Sequence, residues 1–126
     1  LPQYRPVLSP YSLSLLTPAS DQRTTSTFGN LPYSNDVWLD MHPHDATARG
    51  LHNGMRVRVW NDLGEVHLRL HLTEDVRPGV VVSAKGAWLR TSDNGQTVSA
   101  LAPTHYADLC EGACFNDARV EVAELL

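Results

Sequence analysis

The sequence predicts a small, mainly β domain that closes into a barrel and carries one or two short helices. Three observations predict it. About six short stretches read as strands, most of them alternating apolar and polar residues at period two, as half-buried strands do. Only one stretch carries helix punctuation, and the connections are marked by proline, glycine and polar residues. The length, 126 residues, is that of one ordinary domain with a single core. Many short strands with few helices suit a closed β-barrel.

Residues 1–11 are rich in proline and read as an extended linker entering a domain over residues 12–126. Leu13, Leu15 and Leu16 form a first strand, stopped at Thr17-Pro18 because proline has no N–H to give a central ladder. Residues 19–30 are almost entirely polar and dense in hydroxyls. A loop that long in a compact domain is more often functional than idle. Val37 to Met41 form a second strand. Beyond it, Pro43 suits a first helical position, Asp45 complements the positive end of the helix dipole, and Gly50 suits a left-handed C-terminal residue.

Met55, Val57 and Val59 alternate with Arg56, Arg58 and Trp60. Asn61-Asp62-Leu63-Gly64 reads as the turn of a hairpin, with glycine placed for positive φ. The return strand alternates Val66, Leu68, Leu70 and Leu72 with His67, Arg69 and His71. Val80 to Val82 read as a buried strand running into Ser83-Ala84-Lys85-Gly86-Ala87-Trp88. Ala118 to Val122 alternate again and close the set.

Composition excludes several classes. Hydrophobic residues make up 42% and charged residues 19%, a folded rather than a disordered balance. The net charge is −4, from 10 basic and 14 acidic residues, which argues against nucleic acid as a partner but leaves room for one small phosphate ligand. No apolar run approaches the roughly 18–20 residues of a membrane-crossing helix, so no membrane insertion of this segment is expected. The first Met is Met41, so a segment cut from a longer chain, or a processed chain, is expected.

Cys110 and Cys114 make no disulfide framework, and a closed zinc site needs four ligands where the only nearby histidine is His105. They read as free thiols, with no metal ligand expected. His67 and His71 lie about 13 Å apart along a strand at ~3.3 Å per residue, too far for one metal. No four-cysteine iron–sulfur pattern, Walker-type phosphate loop or Ser/His/Asp set is present, and no catalytic residue is expected.

Seven pieces in register carry a family resemblance across roughly residues 12–123. They are the loop from Leu16-Thr17-Pro18 to Gly29-Asn30-Leu31-Pro32, Met41-His42-Pro43-His44-Asp45-Ala46, and Arg49-Gly50-Leu51-His52-Asn53-Gly54-Met55 with its strand. Asn61-Asp62-Leu63-Gly64-Glu65-Val66 and Val76-Arg77-Pro78-Gly79-Val80-Val81 follow. Val98-Ser99-Ala100-Leu101-Ala102-Pro103 and Phe115-Asn116-Asp117 with the last strand complete them. Together they resemble the molybdopterin-dinucleotide-binding domain of the dimethyl sulfoxide reductase and formate dehydrogenase superfamily. The resemblance implies a double-psi β-barrel at the C-terminal end of a large subunit, covering one side of a molybdopterin guanine dinucleotide. It implies that the molybdenum or tungsten is ligated from another domain, and that any iron–sulfur cluster lies elsewhere in the parent chain. The remaining domains of that oxidoreductase are the implied partners.

Such a ligand is rich in acceptors and donors, and the sequence concentrates matching groups in three places. The first is Thr17, Pro18, Arg23, Thr24, Thr25 and Ser26, where hydroxyls and amides approach phosphate oxygens and Arg23 binds them bidentately. Taken alone, the same residues read as a solvated loop, and many relatives carry histidine at Thr25. The second is Lys85, Gly86 and Trp88 at a strand exit. Relatives often place an aromatic residue or histidine at Lys85, and Trp88 reads equally as a rim aromatic. The third is Phe115 and Asn116, with Asn116 suited to a pterin edge and Phe115 to the pterin face or to closing the barrel. Ser99 is a weaker candidate on the same side. Two alternatives stay open: a small separate cofactor-binding subunit, and a double-psi barrel that recruits proteins and holds no pterin. A self-cleaving barrel decarboxylase is excluded, because the chain contains no Gly-Ser dipeptide.

Overall fold

The computed structural model describes residues 1, 3–21, 24–27 and 37–126. Six strands, β1 (Leu13–Leu16), β2 (Trp38–Met41), β3 (Arg56–Asn61), β4 (Gly64–Leu72), β5 (Val80–Val82) and β6 (Arg119–Glu124), close in the order β1-β5-β2-β4-β3-β6. One α-helix, α1 (Pro43–Ala48), follows β2. Among the described residues, three short 3₁₀ turns lie at Leu89–Thr91, Val98–Leu101 and Phe115–Asp117. The mainly β closed barrel expected from the sequence is the architecture observed.

Among the described strands, β3 and β4 are the only consecutive pair that are also neighbours. Every other connection crosses over. β1 runs parallel to β5 and β2 parallel to β4, while the remaining pairs are antiparallel. Period-two alternation sends one face of each strand inward. Leu13 and Leu15, Leu39 and Met41, Val57 and Val59, Val66, Leu68 and Leu70, Val81, and Val120 and Val122 form the core. Each such side chain stabilises the fold by roughly 1.5–3 kcal/mol of burial, before the entropy of ordering is set against it. Leu51, Val98, Leu101 and Ala118, from the connections between strands, belong to the same core.

The helix is built as its punctuation predicts. Pro43 stands at its first position, Gly50 takes φ +67°, and the His42 ring Nδ1 accepts from the His44 amide at 3.1 Å. Asp45 does more than complement the dipole, because its carboxylate accepts from the Gly79 amide at 2.7 Å and ties α1 to the entry of β5.

One expectation fails at the hairpin. Gly64 is not among the positive-φ residues. The turn is organised instead by Asn61, whose Oδ1 accepts from the Leu63 amide at 2.9 Å. Its Nδ2 donates to the carbonyls of Leu101 (3.0 Å) and Arg119 (3.1 Å). An added Cβ at Gly64 would meet Ala100 of the Val98–Leu101 turn at 3.5 Å, an ordinary van der Waals contact, so neither φ nor space requires glycine here.

Candidate functional site

The carboxyl ends of the parallel strands β1 and β5 lie side by side, and both chains continue together beyond the ladder. The Ser83 amide donates to Leu16 O and the Lys85 amide to Pro18 O, each at 3.0 Å. On the other flank of β1, antiparallel β6 begins at the same level, with the Leu15 amide bonded to Ala118 O at 3.0 Å. One step further along this register, the Asn116 side chain takes the place of a backbone partner. Its Oδ1 accepts from the Thr17 amide at 3.3 Å. Three segments distant in sequence are thereby held edge to edge.

Between them opens a cavity of about 370 Å³, within the range of small-molecule sites. Leu15, Val98, Ala102 and Ala118 give it an apolar floor, while Thr17, Lys85, Ser99 and Asn116 ring it with donors and acceptors and Phe115 forms a wall. The ring contains two hydroxyls, an amide and an ammonium group. Such a site can grip a flat, polar-edged ligand, with apolar contact below and hydrogen bonds around the rim. The floor residues were not named from the sequence. Alternation marks Leu15 and Ala118 as inward, yet only the barrel order shows that these core residues also line a cavity.

Of the residues singled out in the sequence, Thr17, Lys85, Ser99, Phe115 and Asn116 converge on this cavity. Pro18 and Gly86 flank it, Pro18 through its carbonyl and Gly86 as a positive-φ hinge (φ +97°) after Lys85. Thr24, Thr25 and Ser26 do not line it. They form a turn of their own, with the Thr27 amide bonded to Thr24 O at 3.0 Å, Thr25 Oγ1 donating to the same carbonyl at 2.7 Å, and Thr25 at φ +51°. Trp88 reaches this turn and donates its indole N–H to Ser26 O at 2.6 Å, so it joins two predicted segments to each other. Arg23 lies outside the described residues.

Cys110 and Cys114 are free thiols. Burial first, and then the neighbouring carboxylates of Asp117 and Asp108, hold the Cys114 thiol above its ordinary value. It is therefore not an activated nucleophile. His67 and His71 serve different carboxylates, Glu65 at 2.9 Å and Asp40 at 2.8 Å, as their separation along β4 predicts. His105 pairs with Asp117 at 2.8 Å, a contact the sequence pattern does not signal.

Comparison with known proteins adds independent findings. A family model described as the molydopterin dinucleotide binding domain matches residues 13–119. Dimethyl sulfoxide reductase DmsA of Escherichia coli (strain K12) is 34% identical over 116 residues, which cover 85% of this chain and 14% of that protein. The DmsA of Haemophilus influenzae is 32% identical over 129 residues, covering 95% and 16%. The probable oxidoreductase YoaE of Bacillus subtilis is 36% identical over 104 residues, covering 79% and 15%. The chain thus spans about one seventh of the length of these relatives. Among solved structures, acetylene hydratase from Pelobacter acetylenicus superposes over 98% of this chain and 21% of its own, with a TM-score of 0.73 at 15% identity. That likeness concerns the fold alone.

Proposed function

The chain belongs to the molydopterin dinucleotide binding domain family, and on that premise we propose that it grips one side of a molybdopterin guanine dinucleotide within a larger molybdenum or tungsten oxidoreductase. The observation that carries the reading is the convergence of Thr17, Lys85, Ser99, Phe115 and Asn116 on one cavity at the ends of β1 and β5. The donor set suits such a ligand. Hydroxyls and an amide meet ring heteroatoms, an ammonium group meets negative charge, and an aromatic wall meets a flat face. The bound cofactor and its metal supply the electron transfer.

The residues of this chain bind, orient and exclude water. Asn116 lines the cavity while its Oδ1 holds the Thr17 amide, so one side chain serves both loop and ligand. Trp88 fixes the Thr24–Ser26 turn through the Ser26 carbonyl, and we assign Arg23 to the pyrophosphate on the chemistry of its guanidinium alone. The metal-binding residue, the substrate pocket and any iron–sulfur cluster belong to the rest of the parent chain, with residues 1–11 as the linker to it. The matched proteins being some seven times longer than their matched part favours this arrangement over a separate small subunit.

Hydrogen exchange on the parent enzyme with and without cofactor tests the reading. Segments 15–18, 83–88, 98–102 and 115–118 should gain protection together when cofactor is bound. Protection confined to one of them, or spread evenly over the barrel, would overturn it.

A further inference from the structure

A second cluster lies beyond the cavity, on the loop that leads into β6. Cys110 (φ +63°) and Glu111 (φ +50°), consecutive left-handed residues, turn the chain back on itself. Tyr106 then bridges Ala113 in antiparallel register, and the Ala107 amide donates to Gly112 O at 2.8 Å. That register sets His105 directly across from Cys114. Cys114 in turn caps the Phe115–Asp117 turn, with the Asp117 amide bonded to Cys114 O at 3.1 Å. Residues three apart in a 3₁₀ turn lie above one another, so Asp117 falls on the side of Cys114. Two local devices thus deliver an imidazole, a thiol and a carboxylate to one point. Their ligand atoms lie within 4.8 Å of one another, and the His105 ring is 2.8 Å from the Asp117 carboxylate.

We propose that His105, Cys114 and Asp117 form a three-ligand site for a zinc-class divalent cation. Nitrogen, sulfur and oxygen donors together match a borderline-soft ion better than calcium or magnesium, which take oxygen alone. Tetrahedral coordination places such donors roughly 3.4–3.8 Å apart, so the His105–Asp117 pair at 2.8 Å must open and the wider pairs, within 4.8 Å, must close, movements of about 1 Å or less. On binding, the Cys114 sulfur joins the metal and its proton leaves to solvent. The fourth position is open to water or to a side chain from the neighbouring part of the parent. Asp108 adds negative charge to the same groove and is paired at 3.6 Å with Arg5. Phe115 and Asn116 stand between two of the ligands, so an occupied site would fix that wall of the cavity. The binding itself does not rest on the pterin reading.

The test is titration of the chain with cobalt(II), a spectroscopic substitute for zinc, followed by zinc displacement. The wild-type chain should take up one cobalt with a thiolate-to-metal charge-transfer band and tetrahedral ligand-field bands. Cys110→Ser should behave as wild type. Cys114→Ser should lose the charge-transfer band, and both it and Asp117→Asn, which keeps its shape, should bind zinc more than about 100-fold more weakly. Absence of the band in wild type, its survival in Cys114→Ser, or its equal loss in Cys110→Ser would overturn the site.

Discussion

Replacing Glu121 with glutamine should destabilise the barrel at neutral pH and leave it nearly unaffected in acid. Glu121 sits on β6 and gathers three elements. Its Oε1 accepts from Arg49 Nε at 2.7 Å and from the Val122 amide at 3.0 Å, and its Oε2 accepts from Ser12 Oγ at 3.0 Å. Arg49 continues the network to Ser12 Oγ at 3.0 Å and to the Asp45 carbonyl at 3.2 Å, tying α1 to the barrel wall. Burial alone would raise the Glu121 carboxyl, but the hydrogen bonds from Arg49, Val122 and Ser12 outweigh it and hold it below its ordinary value. A carboxyl depressed in the folded state stabilises above its unfolded value of about 4.3 and loses that contribution as pH falls through the folded value. Charge-assisted bonds contribute roughly 1.5–3 kcal/mol, discounted here because the side chain is 30% exposed, so about 1 kcal/mol is expected to be lost in Glu121→Gln at pH 7. Urea unfolding of both proteins from pH 7 to pH 3 measures the difference directly. It should stay flat down to about pH 6 and shrink through pH 4. A difference that is constant across the range, or that grows in acid, would refute the reasoning.

The other predictions concern core and site. Leu15→Ala, at a fully buried position under the cavity, should cost about 2–5 kcal/mol in urea unfolding. Gly86→Ala, at φ +97°, should cost roughly 1–3 kcal/mol and weaken cofactor retention by displacing Lys85, as melting and pterin content would show. Arg23→Ala should weaken cofactor retention by roughly 1.5–3 kcal/mol with the cofactor-free melt unchanged. The chain of 126 residues by itself should show no turnover with formate, nitrate or sulfoxide donor–acceptor pairs, which a steady-state assay would check.

The strands were legible because their apolar residues repeat every second position, and α1 because Pro43 and Gly50 mark its ends. The barrel order was not, since periodicity says which residues point inward and nothing about which strand lies next to which. That is why Thr17, Lys85 and Asn116 could be named as candidates by resemblance, while their meeting follows only from β1 lying between β5 and β6. Gly64 misled because glycine permits positive φ without requiring it, and an added Cβ would meet Ala100 only at ordinary contact distance. The short 3₁₀ turns carry almost no periodic signal. The His105, Cys114 and Asp117 cluster escaped for a related reason. It depends on a single bridge between Tyr106 and Ala113 inside a loop with no strand pattern.

The central claim is that the cavity at the ends of β1 and β5 holds the pterin dinucleotide. Its most direct test is pterin and metal content of the parent enzyme carrying Lys85→Ala together with Asn116→Ala, measured after extensive dialysis beside the wild type. Each lost bond is worth about 1–3 kcal/mol, so retention should fall by more than about tenfold while the cofactor-free protein melts within a few degrees of wild type. Full pterin occupancy in the double variant would contradict the claim.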